Sequence, residues 1–143
     1  MTRVLLAAPG AGLGHLTRTV GLAWRLRRRG LDAEVASNSP FGEGLARLTG
    51  VPVVGLAAGR WAADLPRLVA ERDPSLLVLD SFPGGLRGER PALPAATPVA
   101  YLARRLRWGA YAAAHPPEAV RGAIRLEPLE PDRAAYGLSL IHI

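Results

Sequence analysis

Val4-Leu5-Leu6-Ala7-Ala8 runs directly into Pro9-Gly10-Ala11-Gly12-Leu13-Gly14-His15-Leu16-Thr17-Arg18, and from there into an amphipathic pattern that lasts to Arg29. A short apolar strand, a glycine-rich turn and a helix N-terminus together suit an anionic group, because unpaired backbone N–H groups and the positive helix end point the same way. A phosphate-bearing ligand is the first expectation. The spacing then narrows it. A dinucleotide fingerprint, G-x-G-x-x-G, requires glycine at position 15 or 17, which His15 and Thr17 occupy. A P-loop requires a lysine, and the chain contains none. What remains is G-x-G-x-G-H-x-x-R, a pattern that fits a tight strand-to-helix junction as well as it fits a binding loop.

Outward from this stretch, short apolar runs alternate with amphipathic ones. A first strand over Arg3 to Ala8 is followed by a helix from His15 to Arg29 with Leu16, Val20, Ala23 and Trp24 on one face. Ala33 to Ala36 reads as a second strand, and Ser39 before Pro40 as the N-cap of a short helix that reaches Leu48 and stops at Gly50. Val51 to Leu56 makes a third strand. Asp64 is placed to cap a helix that turns Leu65, Leu68 and Val69 inward, with Trp61 packed ahead of it, until Asp73-Pro74 ends it. Ser75-Leu76-Leu77-Val78-Leu79-Asp80 is a continuous apolar run of the kind buried on both faces of a parallel sheet. A second glycine-rich loop, Ser81 to Glu89, follows it. Val99 to Leu102 offers a fifth strand, Arg107 to Ala114 a helix and Ile124 to Leu126 the start of a sixth strand. This rhythm predicts the α/β class, an open parallel, Rossmann-like sheet with helices on both faces. With strand order 3-2-1-4-5, the Gly10 to Arg18 and Asp80 to Glu89 loops face each other across the crevice between strands one and four.

At 143 residues, 49% of them hydrophobic, the chain builds one globular domain with a real core and is too short for two ordinary ones. It has no apolar run near the roughly 20 residues of a membrane span, and its first residues do not form a signal peptide. With no cysteine, thiolate catalysis and cysteine-based metal sites are excluded. His115 and His142 are isolated, so no metal site is expected. A net charge of +6 ordinarily suggests anionic partners. Here every basic residue is arginine in an Ala-, Gly- and Pro-rich chain, as a GC-rich coding sequence produces. The Arg25, Arg27-Arg28-Arg29 cluster also sits where cations complement a helix C-terminus before Gly30. Neither it nor the Arg104-Arg105, Arg107 cluster has an aromatic ladder beside it, so nucleic acid is not an expected partner.

Gly12-Leu13-Gly14-His15-Leu16-Thr17-Arg18, the helix ending Arg28-Arg29-Gly30, and Asp80-Ser81-Phe82-Pro83-Gly84-Gly85 with Glu89 resemble the N-terminal half of a GT-B glycosyltransferase. The likeness is to bacterial glycosyltransferases of the family 28 type, related to the N-acetylglucosaminyltransferase that completes the lipid-linked peptidoglycan precursor. It covers about Arg3 to Ile124. The resemblance implies an acceptor-binding domain, with the nucleotide-sugar donor held mainly by a C-terminal half absent from this sequence, and no cofactor besides. Residues 1–137 are then an incomplete GT-B N-terminal domain. Residues 138–143, foreign in style to what precedes them, resemble a translated sequencing-adapter tail. Such a half is expected to be inactive or nearly so alone, since transfer needs both sides of the cleft.

The resemblance assigns Gly12 and Gly14 to close approach of the backbone to a diphosphate or acceptor, and His15 to the reaction centre. Independently, the positive helix end disfavours imidazolium, which would let a neutral His15 accept a proton from an attacking hydroxyl. The alternative is a His15 that only caps the helix or bonds the turn. Arg18 either contacts a phosphate or is solvated. Asp80 either orients a sugar hydroxyl or His15, or stabilises its turn. Ser81 and Gly84 belong to the facing loop, Phe82 either stacks on a sugar or anchors that loop, Glu89 more often caps a helix than touches substrate, and Arg104 follows the fifth strand toward the cleft. The expected partners are a nucleotide-sugar and a hydroxyl acceptor. The expected location is cytoplasmic, at the inner face of the membrane and peripheral to it where the acceptor is carried on lipid. Two other functions compete: a stand-alone flavodoxin-like nucleotide or phosphate module without catalysis, and an arginine-faced fragment binding nucleic acid, which salt dependence would reveal.

Overall fold

The computed structural model describes residues 1–10, 12–80, 92–103, 122–125 and 140–142. They alternate as β1 (Arg3–Ala8), α1 (Leu13–Arg28), β2 (Asp32–Ser37), α2 (Gly42–Thr49), β3 (Val53–Gly55), α3 (Trp61–Arg72) and β4 (Leu76–Asp80), followed by β5 (Val99–Ala103), β6 (Gly122–Arg125) and β7 (Leu140–His142). The strands join one all-parallel sheet in the order β3-β2-β1-β4-β5-β6-β7. Its first five strands follow the order expected from the sequence. This is the Rossmann order, and it differs from the 2-1-3-4-5 order of flavodoxin-like folds.

Helices cover both faces of the sheet, and β1 supplies residues to each. Val4, Leu6 and Ala8 point to one side, where they pack with Leu16, Val20 and Ala23 of α1 and with the half-buried Leu45 of α2. Leu5 and Ala7 point to the other, against Trp61, Leu65, Leu68 and Val69 of α3. Alternation along an extended chain dictates this division. Burying a leucine such as Leu5 or Leu6, both 0% exposed, stabilises the fold by about 1.5–3 kcal/mol.

Helix ends follow local chemistry. At Gly30 (φ 82), N–H groups of Gly30 and Leu31 bond the carbonyls of Arg27 and Leu26, a Schellman stop for α1. Gly50 (φ 71) closes α2, and Asp73 (φ 45) closes α3 before Pro74. Where α2 meets β3, a Cβ on Gly42 would come within 3.0 Å of Val53, so glycine permits the close approach.

Three local expectations are corrected. Trp24 is 41% exposed rather than on the inward face of α1, because it lies at the margin of the apolar stripe and its ring is covered by Arg28, 4.7 Å from the ring centre. Ser39 is not the N-cap of α2, whose first residue is Gly42. Its hydroxyl accepts from the Phe41 N–H at 3.4 Å in the turn leading in. Asp64 does not start α3 but lies in its first turn, because Arg60 already caps the helix, and the Asp64 carboxylate pairs with Arg60 and Arg67. β3 is also shorter and β2 longer than expected, and β6 lies at Gly122–Arg125. The expected helix over residues 107–114 lies outside the described residues. Among the described residues, no helix is long and apolar enough to cross a membrane.

Candidate functional site

The glycine turn owes its shape to Gly10 more than to its neighbours. Gly10 is buried at φ 108, a conformation that side chains rarely adopt, and its N–H donates to Asn38 Oδ1 at 2.8 Å. Gly12 is the N-cap of α1, with extended backbone and no side-chain cap bond, and Gly14 lies in the first turn. A Cβ at either would meet no described atom within 4 Å. The strand-to-helix junction therefore places no steric demand for glycine at 12 or 14. Both are exposed, with no described atom close before the backbone.

His15 is the third residue of α1 and Arg18 follows three positions later, so helical spacing puts both side chains on one face. Asp80 ends β4, the strand beside β1. Switch-point topology therefore brings together groups 65 and 62 residues apart in sequence. His15 Nδ1 lies 2.7 Å from Asp80 Oδ2. Arg18 donates from Nε to Oδ1 at 3.0 Å, and from Nη2 to Oδ1 at 2.8 Å and to Oδ2 at 2.7 Å. The Asp80 side chain is 0% exposed, whereas those of His15 and Arg18 are 20% and 22% exposed. A carboxylate so placed is compensated by charge-assisted hydrogen bonds, and a side-on guanidinium fork is the geometry that does this best.

The carboxylate oxygen facing His15 is an acceptor, so a proton carried on Nδ1 would donate to it, although Arg18 Nη2 also lies 3.3 Å from that nitrogen. Of the two readings of His15, the geometry carries the ring to Asp80, and Gly12 rather than any side chain forms the helix cap. Asp80 meets side chains of α1 rather than only its own turn. The Arg18 guanidinium lies on Asp80, with its side chain still 22% exposed.

Beneath the turn, the end of β2 and the loop after it contribute Ser37 and Asn38, which the sequence reading passed over. The buried Ser37 hydroxyl donates to the Ala8 carbonyl at 2.9 Å, the Ser39 N–H donates to Ser37 Oγ at 3.1 Å, and Asn38 holds Gly10. The signal was present in principle, since strands one and two are neighbours whose following loops emerge at the same end. Ser81, Phe82, Gly84 and Glu89 of the facing loop, and Arg104 beyond β5, lie outside the described residues. A separate cleft of about 320 Å³ between β3 and α3, lined by Val54, Leu56, Asp64, Arg67 and Glu71 among others, includes none of the site residues. Among the described residues no three His, Asp or Glu side chains gather so as to hold a metal ion.

Comparison of the sequence with known protein families and with curated proteins finds no match, so function must be argued from this geometry.

Proposed function

We propose that the chain is the acceptor-binding side of a glycosyltransferase in which His15 is the general base. The observation that carries this reading is the 2.7 Å approach of His15 Nδ1 to a carboxylate that is itself fully buried and gripped by Arg18. A base must present one nitrogen to the acceptor while the other is held, and Asp80 is positioned to do the holding. The acceptor hydroxyl loses its proton to Nε2 as its oxygen bonds the anomeric carbon of the donor sugar. The bond from that carbon to the diphosphate breaks, its electron pair leaving with the nucleoside diphosphate. The imidazolium formed is stabilised by Asp80 across Nδ1–H. Open backbone at Gly12 and Gly14, on the positive end of α1, suits the negatively charged diphosphate or a hydroxyl-rich acceptor. The resemblance of Gly12 to Arg18 to the GT-B acceptor domain points the same way. A lipid-linked acceptor and a place at the inner face of the membrane belong to the same proposal.

The test begins at the source locus. Should the frame run past Gly137 into a second α/β domain, that longer protein is assayed for release of nucleoside diphosphate from a panel of nucleotide-sugars. His15→Ala is expected to lower kcat by about 10²–10⁴-fold, the usual contribution of a positioned base, with folding intact. Turnover unchanged by that substitution overturns the base role. A frame that stops after Ile143 removes the enzyme reading from this polypeptide and leaves a ligand-binding domain.

A further inference from the structure

In the turn between β1 and α1, Pro9 and Gly10 are buried while the described residues after them are exposed as far as Gly14. Gly12 and Gly14 offer no side chains, Leu13 is 47% exposed, and the register of β1 with β2 ends at Ala8 and Ser37. Beyond that point Gly10 has no ladder partner, yet it is buried, and a buried N–H without an acceptor is costly. Asn38 supplies the acceptor at 2.8 Å from the neighbouring loop, itself tied down through Ser37 to Ala8 and Ser39.

We propose that Asn38 is a positioning residue for His15: by holding Gly10 it fixes the turn that starts α1, and so the direction in which α1 presents the imidazole to Asp80. Four residues separate Gly10 from His15. Gly10 lies two positions before Gly12, the N-cap of α1, so the bond that fixes its peptide bears on where the first turn of α1 begins. Arg18, a turn deeper in a helix anchored by Leu16, Val20 and Ala23, is displaced less. The inference rests on the reading of His15 as base for its catalytic meaning, while the latch itself is a property of the fold.

The experiment uses ¹⁵N-labelled full chain and two substitutions. Asn38→Ala removes the acceptor; Asn38→Asp keeps an acceptor oxygen in place while exchanging the amide donors for a negative charge. In Asn38→Ala the Gly10 amide is expected to exchange about tenfold to a hundredfold faster, as for a buried donor left without its partner. The His15 ring nitrogens are expected to shift from a single Nδ1–H pattern toward a tautomer average. Asn38→Asp should leave both near wild type, and this rescue separates acceptor chemistry from mere loop filling. Faster Gly10 exchange with unaltered His15 ring signals makes Asn38 a loop brace only and overturns the proposal, as does unaltered exchange. Should Asn38→Ala not fold, Asn38→Asp decides alone: a displaced His15 signature there overturns it. Failure of the glycosyltransferase reading looks different, because the wild-type Nδ1–H pattern persists and responds to Asn38 while no nucleotide-sugar is turned over.

Discussion

The two ends of the sheet are held by the same chemistry under opposite conditions. At the amino end, Arg3 meets Asp32 at 3.0 Å and Arg72 meets Glu34 at 3.0 Å. At the carboxyl end, Arg18 meets Asp80 at 2.7 Å. Distance barely separates these pairs, but burial does: the Arg3 and Asp32 side chains are 45% and 33% exposed, Glu34 is intermediate at 14%, and Asp80 is 0% exposed. In water the attraction of a pair is screened and its partners separate at small cost, so exposed pairs contribute about 0–1 kcal/mol. In the interior the carboxylate has given up its hydration, and removing its cation leaves a charge that the fold cannot solvate. Ion pairs that look alike in a distance table are therefore a clamp at one end of the molecule and trimming at the other.

Four substitutions break or sharpen that contrast. Arg18→Ala should have the largest effect, lowering the unfolding free energy in urea titration by about 3–5 kcal/mol, the range for a buried pair deprived of one partner. A loss below about 1 kcal/mol would mean that water reaches Asp80 through the partly exposed space beside His15, and the contrast would collapse. Gly10→Ala should cost about 1–3 kcal/mol, since it forces a Cβ onto backbone at φ 108; thermal unfolding checks this. Arg3→Ala should cost no more than about 1 kcal/mol and become still less costly in high salt, because both of its acceptors lie at the surface. Gly14→Ala should change stability by less than about 0.5 kcal/mol, since a helix accepts alanine and nothing described stands within 4 Å. If Gly14→Ala nevertheless abolishes ligand binding measured by calorimetry, its glycine serves the ligand and not the fold.

Sheet order was legible because it depends on strong, redundant signals. The apolar run at residues 76–79 had to be a doubly covered strand, and Gly30, Gly50 and Asp73-Pro74 marked where helices stop. Helix starts were less legible. Ser39 and Asp64 are good cap residues by type, but the cap is decided by where backbone bonds begin, which tertiary contacts moved by a few residues to Gly42 and Trp61. Trp24 misled for another reason: a large ring at the edge of an apolar stripe is stable either inward or stacked on a nearby arginine, and composition does not choose. At the site, the meeting of the His15 turn and Asp80 could be anticipated from topology. The destination of Arg18 could not, because spacing places its Cα on the correct face but says nothing of which anion its long side chain will find. Asn38 escaped notice because a single amide in a loop carries no pattern until the loop beside it is known.

The pairing of β1 with β4 has a consequence in time. Val4 lies opposite Leu76, so β1 acquires its second neighbour only after the chain has been synthesised past Leu76. Until then the edge that β4 will cover exposes backbone donors and acceptors beside a strand of leucine and alanine, the circumstance in which nascent chains seek wrong partners. His15 and Arg18 are made early and wait for Asp80. Formation of the site thus follows the pairing of β4 with β1, and a protein whose His15 ring reports contact with Asp80 has completed the longest-range pairing among the described strands.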